Sequence, residues 1–140
     1  MSGGGLKNLS TAIFGKLSGS ALASHIANRL FKGRAPEGAQ YPYIVYLIVA
    51  NSPILTFNTN YEDTIIQFSL FSSASGSTEV EGMYTDLKTL YDECSMTIDS
   101  ETLIWMVREN ATLMVEDHTV KNGTVQVWHY AVDYRVITKV

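Results

Sequence analysis

Three histidines, His25, His118 and His129, and one cysteine, Cys94, are the residues of this chain best suited to hold a metal or attack a substrate. The histidines fall in a helical stretch, a turn and an extended stretch. None forms the spaced set with carboxylates or with Cys94 that a metal site needs, so each reads as a surface or rim histidine. Cys94 lies on the apolar stripe of a helical segment, where a free cysteine behaves as a small hydrophobe. Gly15-Lys16 is the only echo of a phosphate-binding loop. That motif also needs glycine at position 10, Ser or Thr at position 17 and a preceding strand, and all three are missing. Glu62-Asp63 and Glu116-Asp117 are adjacent carboxylates; on a strand their side chains face opposite ways and cannot share one proton-transfer site. The triplets starting at Asn8, Asn110 and Asn122 fit the glycosylation pattern without a secretory context. Trp128, Tyr130 and Tyr134 alternate with Asp133 as well as Arg135, which favours core packing over a platform for single-stranded nucleic acid. The residues therefore support no catalytic, cofactor-binding or metal-ligating assignment.

Composition narrows the class further. At 140 residues the chain is one domain, long enough to bury about two-thirds of the surface its unfolded form exposes. A single cysteine excludes an internal disulfide and points to a reducing compartment. Met1-Ser2-Gly3-Gly4-Gly5 has no secretory pattern and reads as a flexible N-terminus, residues 1–5, ahead of a domain at 6–140; the protein is expected in the cytoplasm where it is made. The longest apolar run, Tyr41 to Ala50, is far short of the ~20 residues of a membrane span. A formal charge of −4 argues against a domain-wide grip on nucleic acid.

The elements that must position these residues follow from periodicity. Leu6, Leu9, Ile13 and Leu17 predict an amphipathic helix over 6–17, and Ser20 caps a second short one through Ile26. The chain turns extended near Leu30 and Phe31. Pro36 and Pro42 punctuate the loop Arg34–Tyr41, which empties into a strand from Tyr43 to Ala50. Neither Tyr43, Val45, Leu47 and Val49 nor Ile44, Tyr46 and Ile48 are polar, so both faces of that strand should be covered, one by helices and the other by more of this fold or by another subunit. Asn51-Ser52-Pro53 should end it and open a long loop to Asn60. Tyr61 to Ser72 reads as a strand, Val80 to Cys94 as a helix capped by Ser77 or Thr78, and Leu103 to Val107 as extended. Asn122-Gly123 is the favoured pair for a hairpin turn before a closing strand through Val136. The expected fold is α+β: a mainly antiparallel sheet of four or five strands with two main helices packed on one face.

Certain segments, in this order, resemble one family. They are the opening helix, Ala27-Asn28-Arg29-Leu30-Phe31, Ala35-Pro36-Glu37-Gly38-Ala39 leading to Pro42-Tyr43-Ile44-Val45, the Thr64 to Phe71 strand, the Glu79 to Leu90 helix and the His129 to Val136 strand. Together they are similar to siphophage tail terminator or tail completion proteins related to the gp17-like head-tail joining protein, over roughly Leu6 to Val140. The Asn51–Asn60 connection and the apolar Leu103–Val107 stretch depart from that pattern.

The resemblance implies a structural, non-enzymatic virion protein at the head-proximal end of the tail, assembled in the host cytoplasm. It would form a homo-oligomeric ring of six copies that caps the tail tube protein, stops tail growth and presents the surface that docks to the head-tail connector protein. DNA would pass through without specific binding, and neither cofactor nor membrane is implied. The contact surfaces expected on this reading are the Arg34–Tyr41 loop (Arg34, Glu37, Gln40, Tyr41), the Asn51–Asn60 loop (Asn58, Asn60) and the Glu116–Thr124 hairpin tip (Asp117, Lys121, Asn122). The alternatives are another head-tail connector or tail tube subunit, or, from a different class, a small-ligand binding domain.

Overall fold

Leu9, Ile13 and Leu17 are buried along one side of a helix spanning Gly5–Leu17 (α1), as their three- and four-residue spacing requires. The computed structural model describes residues 5–99, 101–120 and 122–140. Beyond α1 the order is α2 (Ala21–Ile26), β1 (Leu30–Lys32), β2 (Tyr43–Leu55), β3 (Asn60–Ser72), α3 (Thr78–Tyr91), β4 (Thr97–Ile98), β5 (Glu101–Val120) and β6 (Gly123–Lys139). Ser20 Oγ accepts the Ala23 N–H at 3.1 Å and caps α2 as its sequence position demands. Ala27 and Asn28, both at positive φ, then stop that helix and turn the chain into β1.

The strands form one sheet in the order β1-β2-β3-β6-β5-β4, curled into a half-barrel. All three helices contribute side chains to one core against the sheet face that carries Ile44, Tyr46, Ile66, Phe68, Leu70, Val132, Tyr134 and Val136. At its centre the Phe68 ring stacks on Tyr91 at 5.0 Å and meets Tyr134 edge-on at 5.7 Å. The Tyr91 hydroxyl donates to the Ile13 carbonyl at 2.8 Å, so a buried polar group is satisfied and α1 is tied to α3. At the C-terminal end of α3, Asp92 accepts from the Tyr134 hydroxyl and from Arg108, whose guanidinium also donates to the Tyr84 hydroxyl at 2.8 Å.

The expected fold class needs correcting. Among the described residues there are six strands rather than four or five, the sheet is mixed because β1 runs parallel to β2, and three helices are present rather than two main ones. The two-residue β4 and three-residue β1 are too short to carry a periodic signal. Asn51-Ser52-Pro53 does not end β2; Pro53 pairs with Glu62 and the strand continues to Leu55. Proline is tolerated there because β1 covers only Ile44 to Tyr46, which leaves the rest of β2 as an edge that needs no further donor. The expected long loop shrinks to Thr56–Thr59, where Thr56 Oγ1 accepts the Thr59 N–H at 3.1 Å. Nor is the second face of β2 fully covered within the chain: Leu47 and Val49 are 48% and 55% exposed. Cys94 lies just past α3, its thiol 3.7 Å from the Met106 sulfur.

Candidate assembly interface

The Arg34–Tyr41 loop is fixed at both ends. Gly33, at φ +82°, leaves β1 while its N–H still donates to the Tyr46 carbonyl at 2.8 Å; at the far end, Arg29 Nε donates to the Pro42 carbonyl at 3.1 Å. In between, the Ala39 N–H donates to the Pro36 carbonyl at 3.1 Å, and Gly38 turns at φ +80°. This brings Tyr41 over the sheet face opposite the helices, its ring 5.1 Å from that of Tyr43.

There the loop meets β5 and β6. The Tyr41 hydroxyl lies 2.7 Å from His118 Nδ1, His118 Nε2 lies 3.0 Å from one Glu116 oxygen, and His129 Nδ1 lies 2.8 Å from the other. A carboxylate only accepts, so both imidazoles donate to Glu116, and the Tyr41 hydroxyl completes the chain at the other ring nitrogen of His118. Phe71 stacks on His129 at 4.4 Å and lies tilted against Tyr43 at 5.1 Å, completing a chain of rings from loop to hairpin. Burial pushes the Tyr43 phenol up to about 12, with Tyr41 and Glu116 adding to the effect. Burial also pushes the Glu116 carboxyl up, but hydrogen bonds and charge from His129 and His118 outweigh it and hold the group below its usual range.

Chemically the cluster is occupied with itself. Both nitrogens of His118 and both oxygens of Glu116 have partners, and His129 Nε2 is buried without one. No group of three His, Cys, Asp or Glu among the described residues is placed to hold a metal ion. What the cluster does is brace the loop against the β5–β6 hairpin, which projects past β3, since β3 pairs with β6 only as far as Trp128. Between loop and hairpin runs an open groove of about 1280 Å³, floored by Tyr43, Val45 and Phe71.

Of the residues expected at contact surfaces, Arg34, Glu37, Tyr41 and Asp117 line this groove; Gln40 is exposed beside it, and Asn122 is exposed at the hairpin tip. Lys121 lies outside the described residues. The strands pair out to Val120 and Gly123, so Glu116 to Val120 belong to β5 rather than to a loop. Asn58 and Asn60 are at the other end of the sheet, where the Asn60 carbonyl accepts from the Val140 N–H at 3.0 Å. The structure thus joins two of the three expected surfaces and separates the third. Sequence reasoning took His118 and His129 as rim histidines and Glu116 as the start of the hairpin tip, and missed that the three meet, although the two-residue spacing of Glu116 and His118 places both on one face once β5 is read through to Val120.

No helix among the described residues is long and apolar enough to cross a membrane. The sequence model of the family described as tail completion protein gp17 matches residues 11–139. No curated protein matches the sequence. Among solved structures, a chain from the virion of a native gene transfer agent particle superposes with a TM-score of 0.76 at 10% identity, covering 94% of this chain and 95% of its own. A second, from a protein without a descriptive name, gives 0.52 at 13% identity, covering 92% and 93%. At these identities the likeness is one of fold.

Proposed function

The chain belongs to the tail completion protein gp17 family, a family of structural phage tail proteins, and from that membership we propose that it works as an oligomeric ring, of six copies, at the head-proximal end of the tail. The ring caps the tail tube, ends its growth and offers the surface that docks to the head connector. The observation that carries this reading is the braced surface at one end of the sheet, where the Tyr41–His118 contact locks the Arg34–Tyr41 loop to the projecting hairpin. A joining surface has to hold its shape before its partner arrives, since any ordering left to the docking step is subtracted from affinity. A fold shared with a virion chain of the gene transfer agent particle supports a place in the particle. The acidic balance of the chain suits a passage that DNA crosses without sticking.

The test is complementation of a phage deficient in this protein by chains in which residues 34–41, 51–60 and 116–124 are replaced, one segment at a time and together, by Gly/Ser. The combined variant should give tails of irregular length that fail to join heads. Tails of normal length on filled heads would contradict the proposal. A tail tube subunit would instead be found along the whole tail, and labelling of this chain in virion images separates the two.

A further inference from the structure

We infer that copies of this chain join edge to edge, the β1–β2 edge of one copy against the β5 edge of the next, with Lys32 and Arg34 facing Glu109 across the junction. This rests on the ring reading and names the lateral contact within it. The sheet has two edges open to a neighbour among the described residues: β1 continued by Leu47 to Leu55, and β5 beyond Met106, since β4 pairs with Glu101 and Thr102 and the Glu93 N–H takes the Met106 carbonyl at 2.9 Å.

Three observations make these edges fit each other. The first is charge. β1 and β2 contain no acidic residue, and exposed Lys32 and Arg34 stand at their edge; β5 carries exposed Glu109 and Asp117. The ion pairs of the described residues use other groups, including Arg108 with Asp92 and Arg135 with Asp63; Glu109 acts on Arg135, and Arg34 and Asp117 line the groove, but none of the four is held in a pair.

The second is level. Lys32, Tyr46, Phe68, Val132 and Ala111 form one row across the sheet. Glu109, bulged out between Arg108 and Asn110, sits close to the far end of the row that Lys32 begins. A rotation that carries one copy onto the next brings opposite charges to the same height.

The third is direction. β5 runs opposite to β1 and β2, so the rotation that makes a ring creates an antiparallel junction, the more stable pairing. Leu47 and Val49 on the β2 edge are exposed in the single chain and become covered. Pro53 and the bulges at 49, 104 and 109 interrupt the backbone donors, which makes the side chains, rather than a long ladder, the main contact.

The full chain tests this by native mass spectrometry at low salt, with circular dichroism as the check on folding. Glu109→Arg alone, and Lys32→Glu with Arg34→Glu, should each raise the concentration at which rings dissociate by about tenfold. The contact is head to tail, so a one-to-one mixture of the two variants should regain wild-type assembly as alternating rings. Variants that assemble like wild type, or a mixture of folded variants that stays dissociated, would overturn the edge contact while leaving the ring intact. A wild-type chain that never leaves the monomer would overturn the ring reading and this inference with it.

Discussion

Tyr41 and His118 stand 77 residues apart in the chain, yet the Tyr41 hydroxyl lies 2.7 Å from His118 Nδ1. That single contact joins a proline-punctuated loop to the base of a projecting hairpin. Removing the hydroxyl in Tyr41→Phe should cost about 1 kcal/mol in urea unfolding, a typical net hydrogen bond. The more telling readout is local: amide exchange across residues 34–41 should accelerate while exchange in β3 stays unchanged. Uniform acceleration would mean that the contact supports the whole domain rather than the loop.

The Glu116 carboxyl is held below its usual 4.5 by His129 and His118 once the opposing effect of burial is overcome. A carboxyl whose folded pKa is depressed stabilises the fold above its unfolded value and loses that contribution as pH falls through the folded one. Wild-type stability should therefore fall more steeply than that of Glu116→Gln between about pH 5 and pH 3. Parallel pH profiles by thermal melting would rule out the carboxylate as the bridge.

In the core, the Tyr91 hydroxyl donates to the Ile13 carbonyl. Tyr91→Phe keeps the stack on Phe68 and removes only a second donor from a carbonyl that α1 already bonds, for an expected loss of about 1 kcal/mol, a typical net hydrogen bond. Chemical denaturation gives the value directly, and a loss below about 0.5 kcal/mol would show that the hydroxyl does not tie α1 to α3.

Phe57 is fully exposed at the β2–β3 turn, and Leu55 beside it is 73% exposed. Phe57→Ser should leave monomer stability within about 0.5 kcal/mol, because nothing packed is lost. Under the proposed function the same change should weaken assembly with tail tubes, as measured by co-sedimentation. Unaltered co-sedimentation would remove this turn from the contact surfaces.

Much of the fold was legible because the helices obey their spacing. Leu9, Ile13 and Leu17, and likewise Val80, Met83, Leu87 and Tyr91, are buried as written in the sequence. The alternation of Val132, Tyr134 and Val136 likewise identified the buried face of β6. Sheet topology was harder to read. Whether Pro53 breaks a strand depends on whether a neighbour lies alongside, which is a property of the whole sheet. β5 hid its length because many of its residues are exposed and its alternation carries bulges at 104 and 109. The bracing cluster is legible only after pairing is known, since Met114 opposite His129 is what brings that ring within reach of Glu116. The apolar outer set of β2 was readable from the start, and the exposure of Leu47 and Val49 turns it into a specific surface awaiting a partner.

Self-assembly of the full-length chain, alone and with purified tail tubes, followed by native mass spectrometry and negative-stain imaging, tests the central claim most directly. The account predicts closed rings, of six copies, seated at one end of each tube. A strict monomer at every concentration, with and without tubes, would contradict it.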